Sequence, residues 1–184
     1  MKRFFLLITY FLLLLFAASA QTGIYSTRTG KVDFLSDAPL ELIKASSEKL
    51  HGVLDTDKRT FAFSIPSDSF KGFNSPLQQE HFYENYMEAK IYPTSTFSGK
   101  IIEQIDFSTD GTYTIRAKGK LLIHGVEQER IIKVNLKILK GQITAESNFS
   151  IMLEDHNFTI PRVVFQKIAE EIKVTVHAVF EKKK

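Results

Sequence analysis

The chain has 184 residues, enough for one domain with a sizeable core, and a formal net charge of +3. Two of its 24 basic residues, Lys2 and Arg3, precede the first apolar run. The remainder nearly balances the 21 acidic residues, and no basic stripe interleaved with aromatics points to nucleic acid. With no cysteine there are neither disulfides nor thiol chemistry, so stability rests on a core to which 16 phenylalanines contribute.

The first segment reads as a secretory signal peptide over residues 1–20: a basic start, an apolar run over 4–16 and the small-residue site Ala18-Ser19-Ala20. The run is shorter than the roughly 20 apolar residues a spanning helix needs. Cleavage is expected before Gln21, leaving a domain over 21–184 with a periplasmic or secreted location. No cysteine follows the site to take a lipid anchor.

Period-2 alternation then dominates, as it does when successive side chains of a strand point to opposite faces. Strands are expected over 24–29 and 31–36 around Gly30, and over 40–54 with a bend or bulge at Gly52. Phe61-Phe63-Ile65 resumes the alternation until Pro66 and the Ser67-Asp68-Ser69 cluster end it. A helix is expected over about 76–90: Ser75 caps it, Pro76 suits its first position and Gln78 completes a capping box. Phe82, Tyr83, Tyr86 and Met87 form its apolar stripe, and Pro93 stops it. Further strands follow over 96–105, 113–123, 132–138, 143–153 and 172–180, with turns at Asp110-Gly111, His124-Gly125 and Lys140-Gly141. A second short helix, about 161–170, precedes the last strand. The pattern predicts an all-β protein, a lipocalin-like antiparallel β-barrel whose closure removes exposed edges.

The apolar faces carry small residues mid-strand: Ala117, Gly119, Ala145, Ser147 and Ala178. A sheet lined large–small–large can close around a hollow, and a barrel of about eight strands holds one small ligand. Phe34, Phe63, Phe97, Ile115, Leu121, Val134, Phe149, Ile151 and Val176 are the expected lining or core. Phe82, Tyr86, Met87, Phe165 and Ile168 are expected to close the ends. The Phe82-Tyr86-Met87 stripe reads either as a helix face packed on the barrel or as a lid of adaptable side chains over an open end.

Little else suggests chemistry. The five histidines, at 51, 81, 124, 156 and 177, share no metal-ligand spacing, so no metal is expected. His124 and His177 read as surface residues and His156 as part of a polar loop. Glu80, Glu84 and Glu88 read as a solvated helix face, because a di-metal site needs matching ligands from other helices. There is no G-x-S-x-G elbow, Walker loop or G-x-G-x-x-G, so neither catalysis nor a cofactor is expected.

Three segments resemble the YceI-like family of bacterial lipid- or polyisoprenoid-binding proteins. They are Glu80-His81-Phe82 in the helix, Tyr92-Pro93-Thr94-Ser95-Thr96-Phe97 entering the next strand, and Gly119-Lys120-Leu121-Leu122-Ile123-His124-Gly125-Val126 in the later hairpin. The resemblance implies an exported barrel holding an isoprenoid or other amphiphilic lipid, with a membrane protein or membrane surface as a further partner. The family's amino-terminal strand usually carries an Asp and a His-Ser pair, where this chain has Ser26-Thr27-Arg28-Thr29-Gly30. An Arg-Asp pair often precedes the helix His, where Gln78-Gln79 stand here. Both positions bear on how a headgroup is held. Two rival readings stay open: a filled barrel whose loops bind another envelope protein, and a lumenal enzyme, which needs two titratable groups converging inside.

Overall fold

The computed structural model describes residues 23–183. The expected signal peptide and its cleavage site therefore lie outside the described residues. Eight strands pair antiparallel in chain order and close into a barrel: β1 (Ile24–Asp37), β2 (Leu42–Asp55), β3 (Thr60–Pro66), β4 (Thr94–Ile101), β5 (Gly111–Ile123), β6 (Val126–Leu139), β7 (Gln142–Met152) and β8 (Glu171–Lys182). β8 returns to β1 through the register Lys31↔His177 to Ser36↔Ile172, so the sheet keeps no free edge along this stretch.

The alternation explains the strands. On β5, Ile115, Ala117 and Leu121 are buried while Thr114, Arg116, Lys118 and Lys120 are exposed. β1 is one strand rather than two. Its inward positions switch from Tyr25 and Thr27 to Gly30, Val32 and Ser36, because the pairing with β2 slips between Thr27 and Gly30. A second slip between Gly30 and Val32 flips β2 from Ile43, Ala45 and Ser47 to Leu50, Gly52 and Leu54. The irregularity in β2 thus lies at Glu48-Lys49, not at the expected Gly52, and each strand carries one extra residue. Gly52 is small for another reason: a Cβ there would stand 2.6 Å from the Phe63 ring.

Two turns match their sequences closely. His124 and Gly125 have φ of 51° and 73°, and Lys140 and Gly141 have 50° and 77°, the left-handed pairs of two-residue hairpins whose twist suits the strands. The expected turn at Asp110-Gly111 is instead the end of a longer loop. The strand expected over 96–105 stops at Ile101. Beyond it the Asp106 carboxylate accepts hydrogen bonds from the Ser108 backbone and the Ser108 and Thr109 hydroxyls, which hold its pKa down to about 2 and close a tight turn.

The two ends of the barrel differ. At the end holding the 56–59, 102–110 and 140–141 connections, Leu54, Phe61, Ile138, Ile143 and Phe180 are buried and fill the interior. At the other end lie the 38–41 loop, the long 67–93 connection, the His124-Gly125 hairpin and the 153–170 loop. The 67–93 connection contains the only α-helix among the described residues, α1 (Pro76–His81), continued by one π-helical turn, Phe82–Tyr86. Helical structure therefore ends four residues short of the expected 90. Met87 N–H donates to the Phe82 carbonyl at 2.8 Å, and Glu88 at φ 43° turns the chain out of the helix. The Ser75 hydroxyl caps α1 from Gln78 N–H at 3.1 Å, but the Gln78 side chain accepts from Asn74 N–H rather than from Ser75. The second expected helix, 161–170, is only a 3-10 turn, Arg162–Val164. Its apolar residues divide between the barrel and solvent, so no single face holds a helix down.

Candidate functional site: an apolar lumen under a phenylalanine cover

Between the filled end and the covered end lies a cavity of about 500 Å³. Its wall is built from the inward positions of the strands. Phe34, Phe63, Phe97, Ile115, Leu121, Val134, Phe149, Ile151 and Val176 all line it, as do Phe82, Tyr86, Met87 and Ile168 from the connections above. Phe34, Phe63, Phe97, Phe149 and Val176 keep accessible surface although they face inward, which is the mark of a hollow rather than a packed core. Among the small residues, Ala117, Ala145 and Ser147 line the cavity, and their short side chains leave the space open.

Three expected members behave differently, and the first, Ala178 on β8, is fully buried and off the cavity wall. Phe165 is off the cavity wall and 60% exposed, because the 3-10 turn before it carries its ring outward past Val164. Gly119 is not a lining residue. It pairs with Gly99 on β4, and a Cβ on either glycine would overlap a backbone carbonyl, Ser98 for Gly119 and Lys118 for Gly99. These glycines allow β4 and β5 to approach, and the hollow owes its width to the alanines.

The cover contains residues the alternation did not single out. Phe70 and Phe73 fall in an irregular segment, so no period marks them, yet both line the cavity. Phe34 on β1 packs against Phe70, Phe73 and Phe82 with ring centroids 5.5, 5.9 and 5.4 Å away. The Tyr83 hydroxyl donates to the Phe70 carbonyl, tying the π turn to the same segment. β2 and β3 pair only over His51–Asp55, and Lys71 bridges the splayed part of β2 through paired 2.8 Å backbone bonds with Ser46. The stripe is therefore both packed and part of a cover, so the two readings of Phe82-Tyr86-Met87 are one arrangement.

If the cover gates the lumen, ligand is expected to slow amide exchange over residues 76–93 more than over β5, and Tyr86→Ala to speed ligand release more than it lowers the melting temperature. Hydrogen exchange and stopped-flow release measure these. Exchange in the cover that stays slow whatever apolar ligand is added identifies the stripe as static core.

A histidine cluster pins the far edge of the cover. His124, expected at the surface, is half-buried. Its ring stacks on Phe158 at 4.7 Å and meets Tyr92 edge-on at 4.8 Å. Nε2 lies 2.7 Å from Glu88 Oε2, and Nδ1 lies 3.2 Å from the His156 carbonyl. Glu88 is thus drawn out of the expected solvated row, whereas Glu80 and Glu84 stay exposed and Glu84 pairs with Lys90. His156, expected in a polar loop, is fully buried, and its Nδ1–H donates to the Val126 carbonyl at 3.2 Å. These partners come from positions distant in sequence, so no local motif reveals them.

Burial pushes the His156 imidazole below its ordinary 6.5, against the pull of the Val126 and Ile123 carbonyls. The native state therefore holds it neutral, and the unfolded chain takes up the proton first as pH falls. The contribution is complete above about pH 6.5 and is lost as pH drops from there through the native value. His156→Gln is expected to lower stability at pH 8 or so, while flattening its decline between about pH 7 and 5. Denaturant titrations of both proteins across that range measure it. Parallel wild-type and variant curves overturn the assignment.

Among the described residues, no acid and base converge in the lumen. The titratable groups on its wall, apart from Tyr86, are Glu41, His81, Glu146 and Lys167. Glu41 sits at the mouth, where it accepts hydrogen bonds from Gln78 and Asn74 at 2.9 and 3.1 Å. His81 and Lys167 are exposed at the same mouth, and Glu146 is exposed on β7 opposite His177. Inside, Ser147 donates to the Lys133 carbonyl at 2.7 Å. Burial pushes the Tyr86 phenol above its ordinary 10.0, so it remains protonated at neutral pH. Among the described residues no three His, Asp or Glu come together to hold a metal.

A closed eight-stranded antiparallel barrel with a greasy lumen and a covered mouth defines the lipocalin-like class. The YceI-like domain family matches residues 16–180, and the chain belongs to that family. Comparison with curated proteins finds no match. Among solved structures, a polyisoprenoid binding domain from Saccharophagus degradans, implicated in plant cell wall breakdown, is similar at 13% identity and a TM-score of 0.73, covering 88% of this chain and 99% of that one. BcnA of Burkholderia cenocepacia is similar at 20% identity and a TM-score of 0.66, covering 82% and 95%. The YceI protein of Campylobacter jejuni aligns at 19% identity and a TM-score of 0.59, covering 76% and 84%. At these identities the likeness is one of fold.

Proposed function

We propose that this protein binds and carries a long apolar ligand, an isoprenoid or another amphiphilic lipid, in its lumen and performs no catalysis on it. The observation that carries this reading is the continuous apolar cavity of about 500 Å³, closed at one end and covered by phenylalanines at the other. It falls within the roughly 300–1,000 Å³ of ligand sites, whereas a filled interaction module would be packed to crystal-like density. Family membership and the polyisoprenoid-binding name of the Saccharophagus degradans neighbour support the ligand class. Each methylene taken from water contributes about 0.8 kcal/mol, so a long chain binds well without specific polar contacts. Mass spectrometry of organic extracts from purified protein tests the proposal and is expected to show a stoichiometric lipid. Protein that yields none, and takes up neither geranylgeraniol nor a long fatty acid, overturns it.

The protein is further proposed to act outside the cytoplasm, on the strength of the basic start, apolar run and Ala18-Ser19-Ala20 site. Amino-terminal sequencing of material from the producing cell is expected to begin within a residue or two of Gln21. An intact Met1 in mature protein overturns export.

A further inference from the structure

The loop over residues 158–169 presents two faces. Val164, Lys167 and Ile168 line the cavity mouth. Their neighbours Val163 and Phe165 point away from it and are 86% and 60% exposed. Leu40 N–H donates to the Gln166 carbonyl at 2.9 Å, which sets Leu40, 66% exposed, beside them. Leu77 on α1 lines the mouth from the other side and is 59% exposed. Exposed apolar side chains therefore stand beside an opening whose edge also carries Glu41, His81 and Lys167, and none of these apolar groups is covered among the described residues. Loop 158–169 also carries Arg162 and Lys167, and the acidic residues of the wider 153–170 loop, Glu154, Asp155 and Glu170, flank this stretch rather than fall within it. Neither cation has a carboxylate within 4.0 Å among the described residues; the nearby Lys173, by contrast, pairs with Asp37.

We propose that the mouth end of the barrel docks on an anionic lipid bilayer. Val163, Phe165, Leu40 and Leu77 enter the boundary of the acyl region, and Arg162 and Lys167 meet headgroup phosphates. The inference rests on the lumen being a lipid site: a chain insoluble in water passes between bilayer and barrel without crossing solvent only if the mouth touches the bilayer. Exposed apolar side chains next to unpaired cations are the composition that binds an anionic interface. A second copy of this chain fits less well, because a two-fold contact centred on the loop brings Arg162 and Lys167 toward their own counterparts.

Co-sedimentation with phosphatidylcholine vesicles, with and without phosphatidylglycerol, tests docking, and native mass spectrometry of geranylgeraniol uptake tests the lumen separately. The wild-type protein is expected to sediment with the anionic vesicles. V163D/F165D, at positions that do not line the cavity, is expected to bind them at least about tenfold more weakly while taking up geranylgeraniol as before. Arg162→Gln is expected to weaken binding about fivefold at low salt, an effect that disappears on neutral vesicles. If V163D/F165D does not fold, V163S/F165S makes the same comparison with milder changes. Unaltered vesicle binding by the variants, or none by the wild type, overturns docking whatever the lumen does. Vesicle binding without any uptake overturns the lumen reading instead. A wild-type dimer that V163D/F165D converts to monomer, with no vesicle binding, makes the face a contact between copies and also overturns docking.

Discussion

Ala145→Phe is expected to abolish ligand binding in a protein that still folds. Ala145 sits on β7 opposite Leu136 and Ala178 and lines the cavity with little more than a methyl group. In a packed core the added ring would strain its neighbours by about 1–3 kcal/mol. Here the ring enters a cavity of about 500 Å³, and its own burial offsets much of that strain. The ligand loses the space. Excluding as few as four methylenes removes roughly 3 kcal/mol, which weakens binding more than about 100-fold. Calorimetric titration beside thermal melts separates the outcomes. A melting temperature within a few degrees of wild type together with lost binding supports the hollow. A large drop in a protein that never held lipid means that the lumen is filled in solution.

The barrel was legible because its signals are local. Period-2 alternation survives in every strand, and the His124-Gly125 and Lys140-Gly141 turns announce hairpins through residues that tolerate positive φ. What local patterning does not record is register. The paired slips near Arg28-Thr29 and Glu48-Lys49 make β1 continuous and move the bulge away from Gly52, because pairing between strands, not composition, sets where an extra residue falls. Helix length departs from the sequence pattern for a related reason. Phe82, Tyr83, Tyr86 and Met87 repeat at helical spacing, but the bonds that hold them end in a π turn that serves contacts with Phe34, Phe70 and Phe73.

The lumen was legible to the extent that it lies on strands. Inward alternating positions gave its wall, whereas Phe70, Phe73 and Phe158 reach it from irregular chain, and Phe165 sits in such chain and turns outward. Smallness alone was ambiguous. Ala117 and Ala145 are small beside empty space, and Gly119 is small beside another backbone. The same alternation contains both cases, and only the distance to the next strand tells them apart. The histidines show the converse, since His124 and His156 gain their roles from Glu88, Tyr92, Phe158 and Val126, none of which a spacing rule connects to them.

That distance gives Gly119→Val the largest expected effect on folding. Gly119 faces Gly99 across the β4–β5 pair, with the Ser98 carbonyl in the position its Cβ would occupy. The obstacle is backbone held in the ladder from Thr96↔Leu122 to Ile101↔Ala117, so no side-chain rotation relieves it. Either β4 moves outward, breaking bonds in a six-pair ladder, or β5 twists away from its thirteen-pair register with β6. Overpacking against mobile side chains costs about 1–3 kcal/mol, and a clash with the β4 backbone at Ser98 and Gly99 exceeds that range. Against the roughly 5–15 kcal/mol that holds a domain folded, the loss is expected to lower the melting temperature by about 10 °C or more. Gly141→Val, where nothing lies within 4 Å of the added Cβ, suffers only the strain of its φ of 77° and serves as the comparison. Thermal melts of both variants read the difference. A Gly119→Val protein as stable as Gly141→Val shows that β4 and β5 do not approach as closely as the paired glycines allow, and that the barrel is wider on this side.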